Sequence, residues 1–283
     1  MPSSTEPASA EAPSAHRSVF YLTTRYSQTM CSNYLPVTRA DRLMTFFGVE
    51  YSKDELLQRE VFPLGMAPFI RLTVEGQEGG KPALVAEDGM FGLLPHFAAE
   101  RQYGRRTYNA RSETVHKLPS FKPAWSAGQR CIIPTEAVFE PNYASGKAVR
   151  WRIFQEGDVP FGIAGIYRRW NDPQGGSALF TFAMLTVNAD AHPFYKQFHK
   201  PGEEKRMPIF LDKEEYGPWL QCGLMDAPLH FKQHPGPFLG EAAPLARAPK
   251  VAREPNARDE LLPPKPVKPP PAPPPPPAQG DLF

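Results

Sequence analysis

Proline sets the outer limits of any fold in this chain. Of the 15 residues from Pro263 to Pro277, 11 are proline. Proline lacks a backbone donor and locks φ, so this tract enters neither a helix nor a ladder and reads as extended polyproline II. The folded region must therefore lie before it. Residues 1–30, rich in Ala, Ser, Pro and Glu at their start, read as a flexible leader in which Ser-Val-Phe-Tyr-Leu (18–22) is a stray strand signal. Hydrophobic periodicity and aromatic mass concentrate in residues 31–235, which read as one domain, and residues 236–283 read as a disordered, Pro-rich tail.

Strand signals dominate the domain. Ala148–Gln155 alternates at period two, as a half-buried strand does. Phe161–Trp170 and Ala178–Val187 are longer runs, and Phe69–Val74, Leu84–Glu87, Cys131–Pro134 and Met207–Leu211 are shorter ones. Thr38–Gly48 predicts a helix, with Thr38 as N-cap, Asp41 in the first turn and Gly48 as the stop. Asp212–Leu220 predicts a second, short helix. Many strands and few short helices predict an α+β fold, a single domain on a curved antiparallel sheet or barrel.

Composition excludes several classes. The 32 Lys and Arg against 30 Asp and Glu leave a net charge of +2, so nucleic-acid contact must come from a local basic groove. Cys31, Cys131 and Cys222 are an odd, sparse set without a CxxC, poor material for a disulfide framework or a zinc site. A reduced, cytoplasmic setting fits them. No apolar run reaches the roughly 20 residues of a membrane helix, and the leader lacks the layout of a secretory signal.

Four segments carry candidate chemistry. Met30 precedes Cys31 at the junction of leader and domain. Removal of the preceding residues, by initiation at Met30 and loss of that Met or by self-cleavage, leaves an α-amine of pKa about 8 beside a thiol of about 8.5. That pair suits an aldehyde: the amine forms an imine and the thiol closes a thiazolidine, intramolecularly. In Asn109-Ala-Arg111, two polar residues two apart on an extended segment face one side. Asn109 is placed to orient an amine or sugar hydroxyl and Arg111 to hold a phosphate, although a solvated loop explains the spacing as well. Arg130–Pro141 reads as an apolar strand, a turn, then Glu140, whose neighbours Phe139 and Pro141 are expected to raise its pKa. Pairing to an arginine at a strand end is the other reading of Glu140, and Glu136 is a rival carboxylate. Finally, Thr186–Leu211 holds His192, His199 and Arg206 without the spacing of a zinc site.

In order, Met-Cys, Gly92-Leu-Leu-Pro-His96, Asn109-Ala-Arg-x-Glu113, Arg130-Cys-Ile-Ile-Pro…Phe-Glu140 and Thr186…His199…Arg206-Met-Pro resemble the SOS response-associated peptidase (SRAP) family, also called abasic-site processing proteins. The resemblance runs from Cys31 to about Leu220. It implies binding of single-stranded DNA, a covalent thiazolidine link to an opened abasic sugar, removal of the residues before the cysteine, and a lyase side activity through the imine. It also implies roles: Cys31 as nucleophile, Asn109 as positioner, Glu140 and His199 as acid and base, Arg111 and Arg206 on phosphates, and Thr186 lining the site. No cofactor is implied, and a monomer associated with the nucleoid is expected. The chain departs from the pattern in four places. Ser32-Asn33 replaces Gly-Arg, so Asn33 stands where a phosphate contact is usual. Pro141 replaces a Trp. Met90-Phe91 replaces the base-wedging Trp, leaving Phe91 to stack on bases. The loop around His199 is longer than usual, which makes His192 the fallback histidine.

The chain ends Gln279-Gly-Asp281-Leu282-Phe283, which resembles the short peptides that dock bacterial replication and repair proteins on the sliding clamp, with Gly280 where Leu is common. Two other functions fit the same residues: a cysteine peptidase acting on other proteins, with Cys31 or Cys131 as nucleophile, and a clamp-tethered single-strand-binding adaptor without catalysis.

Overall fold

The computed structural model describes residues 32–51, 60–73 and 81–245. Cys31, the 18–22 strand signal, the proline tract and the terminal peptide Gln279–Phe283 lie outside the described residues.

Eleven strands form one curved sheet. They are β1 (Tyr34–Pro36), β2 (Met66–Thr73), β3 (Ala83–Phe91), β4 (Asn109–Arg111), β5 (Arg130–Asn142), β6 (Val149–Phe154), β7 (Phe161–Trp170), β8 (Leu179–Asn188), β9 (Arg206–Pro208), β10 (Phe210–Leu211) and β11 (Leu239–Ala242). Pairing runs β5–β7–β8–β3–β2 and returns to β5 through Ile70 and Ile132, so the curvature brings the sheet back on itself. Most pairs are antiparallel; β3 and β4 run parallel to β8. Both faces of the sheet carry core residues: Phe69, Phe91 and Phe182 share one face and Ile132 and Ile166 the other, all essentially without exposure. β11 extends the sheet beside β6, beyond the last strand pattern legible in the sequence.

Two local expectations are corrected. Arg130–Asn142 is one 13-residue strand, not a strand followed by a turn. Its first part, Arg130–Thr135, pairs with β7 and its last, Val138–Asn142, with β6. The break that Pro134, Thr135 and Glu136 make in the apolar pattern is thus a change of partner. The Thr38–Gly48 helix begins later and is looser than expected: α1 spans Ala40–Arg42 and widens into a π turn at Leu43–Phe47. Its N-cap is Arg39 and no side chain caps it. Gly48 does end it, in the left-handed conformation at φ 69°, its N–H donating to Met44. A short helix α2 (Lys122–Ser126) leads into β5. The helix expected at 212–220 is a 3-10 turn, Lys213–Glu215, running into α3 (Tyr216–Gln221), and Asp212 with Glu215 forms its capping box.

Candidate active site

Glu140 lies near the end of β5 with 1% of its surface exposed. Alternation along a strand turns Phe139 and Pro141 to the opposite face, so the apolar flanks expected to surround the carboxylate do not. Its face is shared with Val138 and Asn142, and Trp151 of β6 stands directly across from it. Trp151 in turn packs edge-on against Phe198, their centroids 6.1 Å apart.

His199 reaches Glu140 from the connection between β8 and β9. Phe198 bridges to Asn142, and the His199 N–H donates to the Pro141 carbonyl at 2.8 Å. The backbone then turns left-handed at φ 64°. This conformation costs a non-glycine residue about 1 kcal/mol or more and persists where the surroundings impose it. Here they do: the His199 carbonyl accepts from Lys205 Nζ at 3.1 Å, so both backbone groups of the residue are held. The turn aims the imidazole back over β5, leaving Nε2 3.0 Å from Glu140 Oε2. His199 is also fully buried, and Nδ1 has no partner among the described residues. Burial, followed by the charge of Lys205, lowers its pKa to about 4, against the weaker pull of Glu203 and Asp190. The ring is therefore neutral at neutral pH. A neutral ring shares the bond with Glu140 in two ways: Nε2–H donates to a carboxylate, or a carboxylic acid donates to Nε2. One proton sits between the two groups in either case, ready to be taken or given.

β1 runs beside this part of β5. Tyr34 pairs with Val138, and the Phe139 N–H donates to the Asn33 carbonyl at 3.3 Å. The residues that follow Cys31 are therefore fixed next to Glu140. On β8, which β7 separates from β5, Thr186 lies opposite Arg111 of β4 and Pro208 of β9.

With this geometry in hand, residues 30–237 match the sequence profile of the SOS response associated peptidase (SRAP) family. The chain belongs to the SRAP family. It is 33% identical over 132 residues to the abasic site processing protein YoqW of Bacillus subtilis, covering 46% of this chain and 54% of that one. It is 25% identical over 160 residues to the abasic site processing protein HMCES of Gallus gallus, covering 49% of this chain and 46% of that one. The chain thus matches about half the length of these relatives. A crystal structure of a protein from Bordetella bronchiseptica superimposes with TM-score 0.68 and 32% identity, covering 76% of this chain and 100% of the other. One from Bacteroides thetaiotaomicron, at 21% identity and TM-score 0.60, shares the fold over 75% of this chain and 91% of its own.

Within this SRAP domain the residues expected from sequence divide in two. Glu140 and His199 touch, Asn109 is buried on β4, and Arg111 two residues on is half exposed. Four expectations are corrected. The Phe91 ring is entirely buried, edge-on to Tyr34 and Tyr108 and beside Phe182, and cannot present a face to a base. Asn33 is buried and donates through Nδ2 to Glu60, which also accepts from Arg150, so its amide is engaged inside the protein. The Arg206 guanidinium is 2% exposed and both of its terminal nitrogens are engaged: it donates to Glu113 at 2.9 and 3.0 Å, to Glu204 at 2.7 Å, and to Thr186 O and Oγ1 at 2.7 and 3.2 Å. His192 is not at the site. Its Nδ1 accepts the N–H groups of Phe194 and Tyr195, and Nε2 meets the His234 carbonyl at 2.9 Å. The rival carboxylate Glu136 is clasped by Arg42 at 2.7 and 2.6 Å.

Sequence reading missed two features. Phe97 is half exposed, edge-on to His96 and Tyr103. It follows a segment whose Leu93 N–H donates to Thr107, two residues before Asn109. An aromatic residue just after the Gly92–His96 motif was its available signal. The other is the bracing of the long loop by Glu204 and Lys205, which rests on contacts such as Arg111 to Glu204, 93 residues apart, and leaves no local trace.

Proposed function

We propose that the chain captures abasic sites in single-stranded DNA by covalent attachment through Cys31, acting as a monomer alongside cellular DNA. The observation that carries this reading is the buried Glu140–His199 pair, with the backbone of Asn33 bonded beside it. Asn33 is two residues after Cys31 in the sequence, so the chain that leads from the cysteine is bonded beside the pair.

The chemistry balances without a cofactor. The α-amine of Cys31 adds to the aldehyde of the ring-opened sugar, and one water leaves as the imine forms. Sγ then adds to the imine carbon, its proton passes to the nitrogen, and a thiazolidine closes. Glu140 and His199 supply and accept the protons of these steps, including those of sugar ring-opening. Asn109 orients the amine. Arg111 holds a phosphate, and Phe97, in place of the buried Phe91, offers the aromatic face for a base. A free amine requires loss of residues 1–30. If those residues are present, Sγ attacks the Met30 carbonyl, the acyl group passes from nitrogen to sulfur, and water hydrolyses the thioester. Proton abstraction from the imine gives strand cleavage by β-elimination as a side reaction.

Catalysis by Cys131 as a general peptidase is disfavoured, because the thiol is fully buried and burial raises its pKa well above the usual value. We also assign the peptide Gln279–Phe283 to docking on the sliding clamp. Replacing Leu282 and Phe283 with Ala then weakens clamp binding without altering DNA capture.

The test is a denaturing gel of single-stranded DNA with one abasic site, mixed with a form beginning at Cys31. A covalent band is expected, absent in Cys31→Ala and after acetylation of the N-terminus. Peptidase activity that survives acetylation, with no covalent band, would favour the protease reading instead. Binding that survives Cys31→Ala, with no band from any form, would favour a non-covalent adaptor.

A further inference from the structure

Six residues separate His199 from Arg206, and one of them lies on the residue read above as a phosphate anchor. Glu204 Oε2 accepts from Arg111 Nη1 at 2.7 Å, while its Oε1 accepts from Arg206 Nη1 at 2.7 Å and Asn188 Nδ2 at 3.1 Å. Against the upward pull of burial, the Arg206 and Asn188 hydrogen bonds and the Arg206 and Arg111 charges hold its pKa below the usual carboxylate range. It is an anion at neutral pH.

The two arginines it joins differ. Arg206 is buried and also clasped by Glu113, so its charge is matched inside the protein. Arg111 has 47% of its side chain exposed and donates to Glu204, whose side chain is 34% exposed. A carboxylate oxygen on an accessible guanidinium supplies the negative charge and the acceptor that a phosphodiester oxygen would supply there.

We propose that Glu204 is an internal stand-in for a DNA phosphate, occupying Arg111 until a backbone phosphate displaces it. The inference rests on the reading of Arg111 as a phosphate contact. Exchange of one anion for another leaves the local charge balanced, so Arg111 attracts stray polyanions weakly and engages a strand seated by its other contacts. Because the same loop carries Lys205, which holds the His199 carbonyl, displacement of Glu204 acts on the segment that positions His199.

Fluorescence anisotropy with an intact single-stranded oligonucleotide, which cannot crosslink, tests this across a salt series. Glu204→Gln keeps a hydrogen-bonding group towards Arg206 but removes the competing charge. It is expected to bind about fivefold more tightly at low salt, the upper range of an exposed ion pair. Its log–log salt dependence is expected to stay as in the wild type, because Arg111 meets the same phosphate in both forms once Glu204 is displaced. Adding Arg111→Gln should erase the gain in affinity and make the slope shallower by about 0.7, one phosphate contact on a single strand. Glu113→Gln, which relieves Arg206 but not Arg111, should leave the affinity as in the wild type. Unchanged affinity in Glu204→Gln, or a gain that survives Arg111→Gln, would overturn the proposal while leaving DNA capture standing. Absence of binding by every form would instead remove the DNA reading, and this inference with it.

Discussion

The connection from β8 to β9 contains two buried histidines in two differently built halves. Around His192 every ring nitrogen is spent on backbone: two N–H groups on Nδ1 and a carbonyl on Nε2. That histidine folds the turn and has nothing left to offer a substrate. Around His199 the backbone is satisfied by Pro141 and Lys205, and the ring is left for Glu140 on one side, with no described partner on the other. Burial alone does not separate a structural histidine from a chemical one; how its valences are used does.

Three substitutions or titrations would break or sharpen that contrast. The largest effect is expected at the chemical half. Glu140→Gln and His199→Ala should each slow single-turnover crosslinking by about 10²–10⁴-fold, the range of a lost general acid or base, with DNA affinity retained. Equal rates in wild type and either variant would remove the pair from the chemistry.

The second is a pH dependence. His199 titrates at about 4 in the fold against 6.5 for an ordinary imidazole. Between these values the unfolded chain binds the extra proton, so stability is fully present above pH 6.5 and falls as pH drops towards 4. The loss attributable to this group is up to about 3 kcal/mol, seen as a falling denaturation midpoint. His199→Gln, which cannot take up a proton, should flatten this slope; an unchanged slope would mean that the ring is not held neutral.

The third and smallest is at the structural half. His192→Ala strands two backbone N–H groups and one carbonyl, and should lower stability by about 2 kcal/mol in chemical denaturation. Crosslinking per folded molecule should stay at the wild-type rate. A rate loss like that of His199→Ala would return His192 to the site.

Much of this was legible in the sequence, and the gaps have physical causes. Phe161–Trp170 is a strand end to end because its apolar run carries few polar interruptions. Motif order, unlike local pattern, singled out Glu140 and His199 together, and their side chains meet at 3.0 Å. β5 was under-read because a strand that changes partners in mid-course looks like two elements when only periodicity is consulted. Phe91 and Arg206 were misplaced for one reason: residue type suggests a ligand, but only packing decides whether a ring or guanidinium faces the solvent or the core. The loop brace of Glu204 and Lys205 joins groups distant in sequence and has no periodic signature.

Among the described residues no helix is long and apolar enough to cross a membrane. Arg206 is buried in its ion pairs, whereas about half of the Arg111 side chain is open to solvent.

The most direct test of the central claim is the intact mass of the covalent adduct formed when residues 1–283 meet single-stranded DNA bearing one abasic site. The account predicts the mass of a chain beginning at Cys31 plus the DNA, less one water, and no adduct from Cys31→Ala. An adduct that retains residues 1–30, or one that forms in Cys31→Ala, would contradict it, because neither has the amine and thiol of an N-terminal cysteine on the reacting sugar.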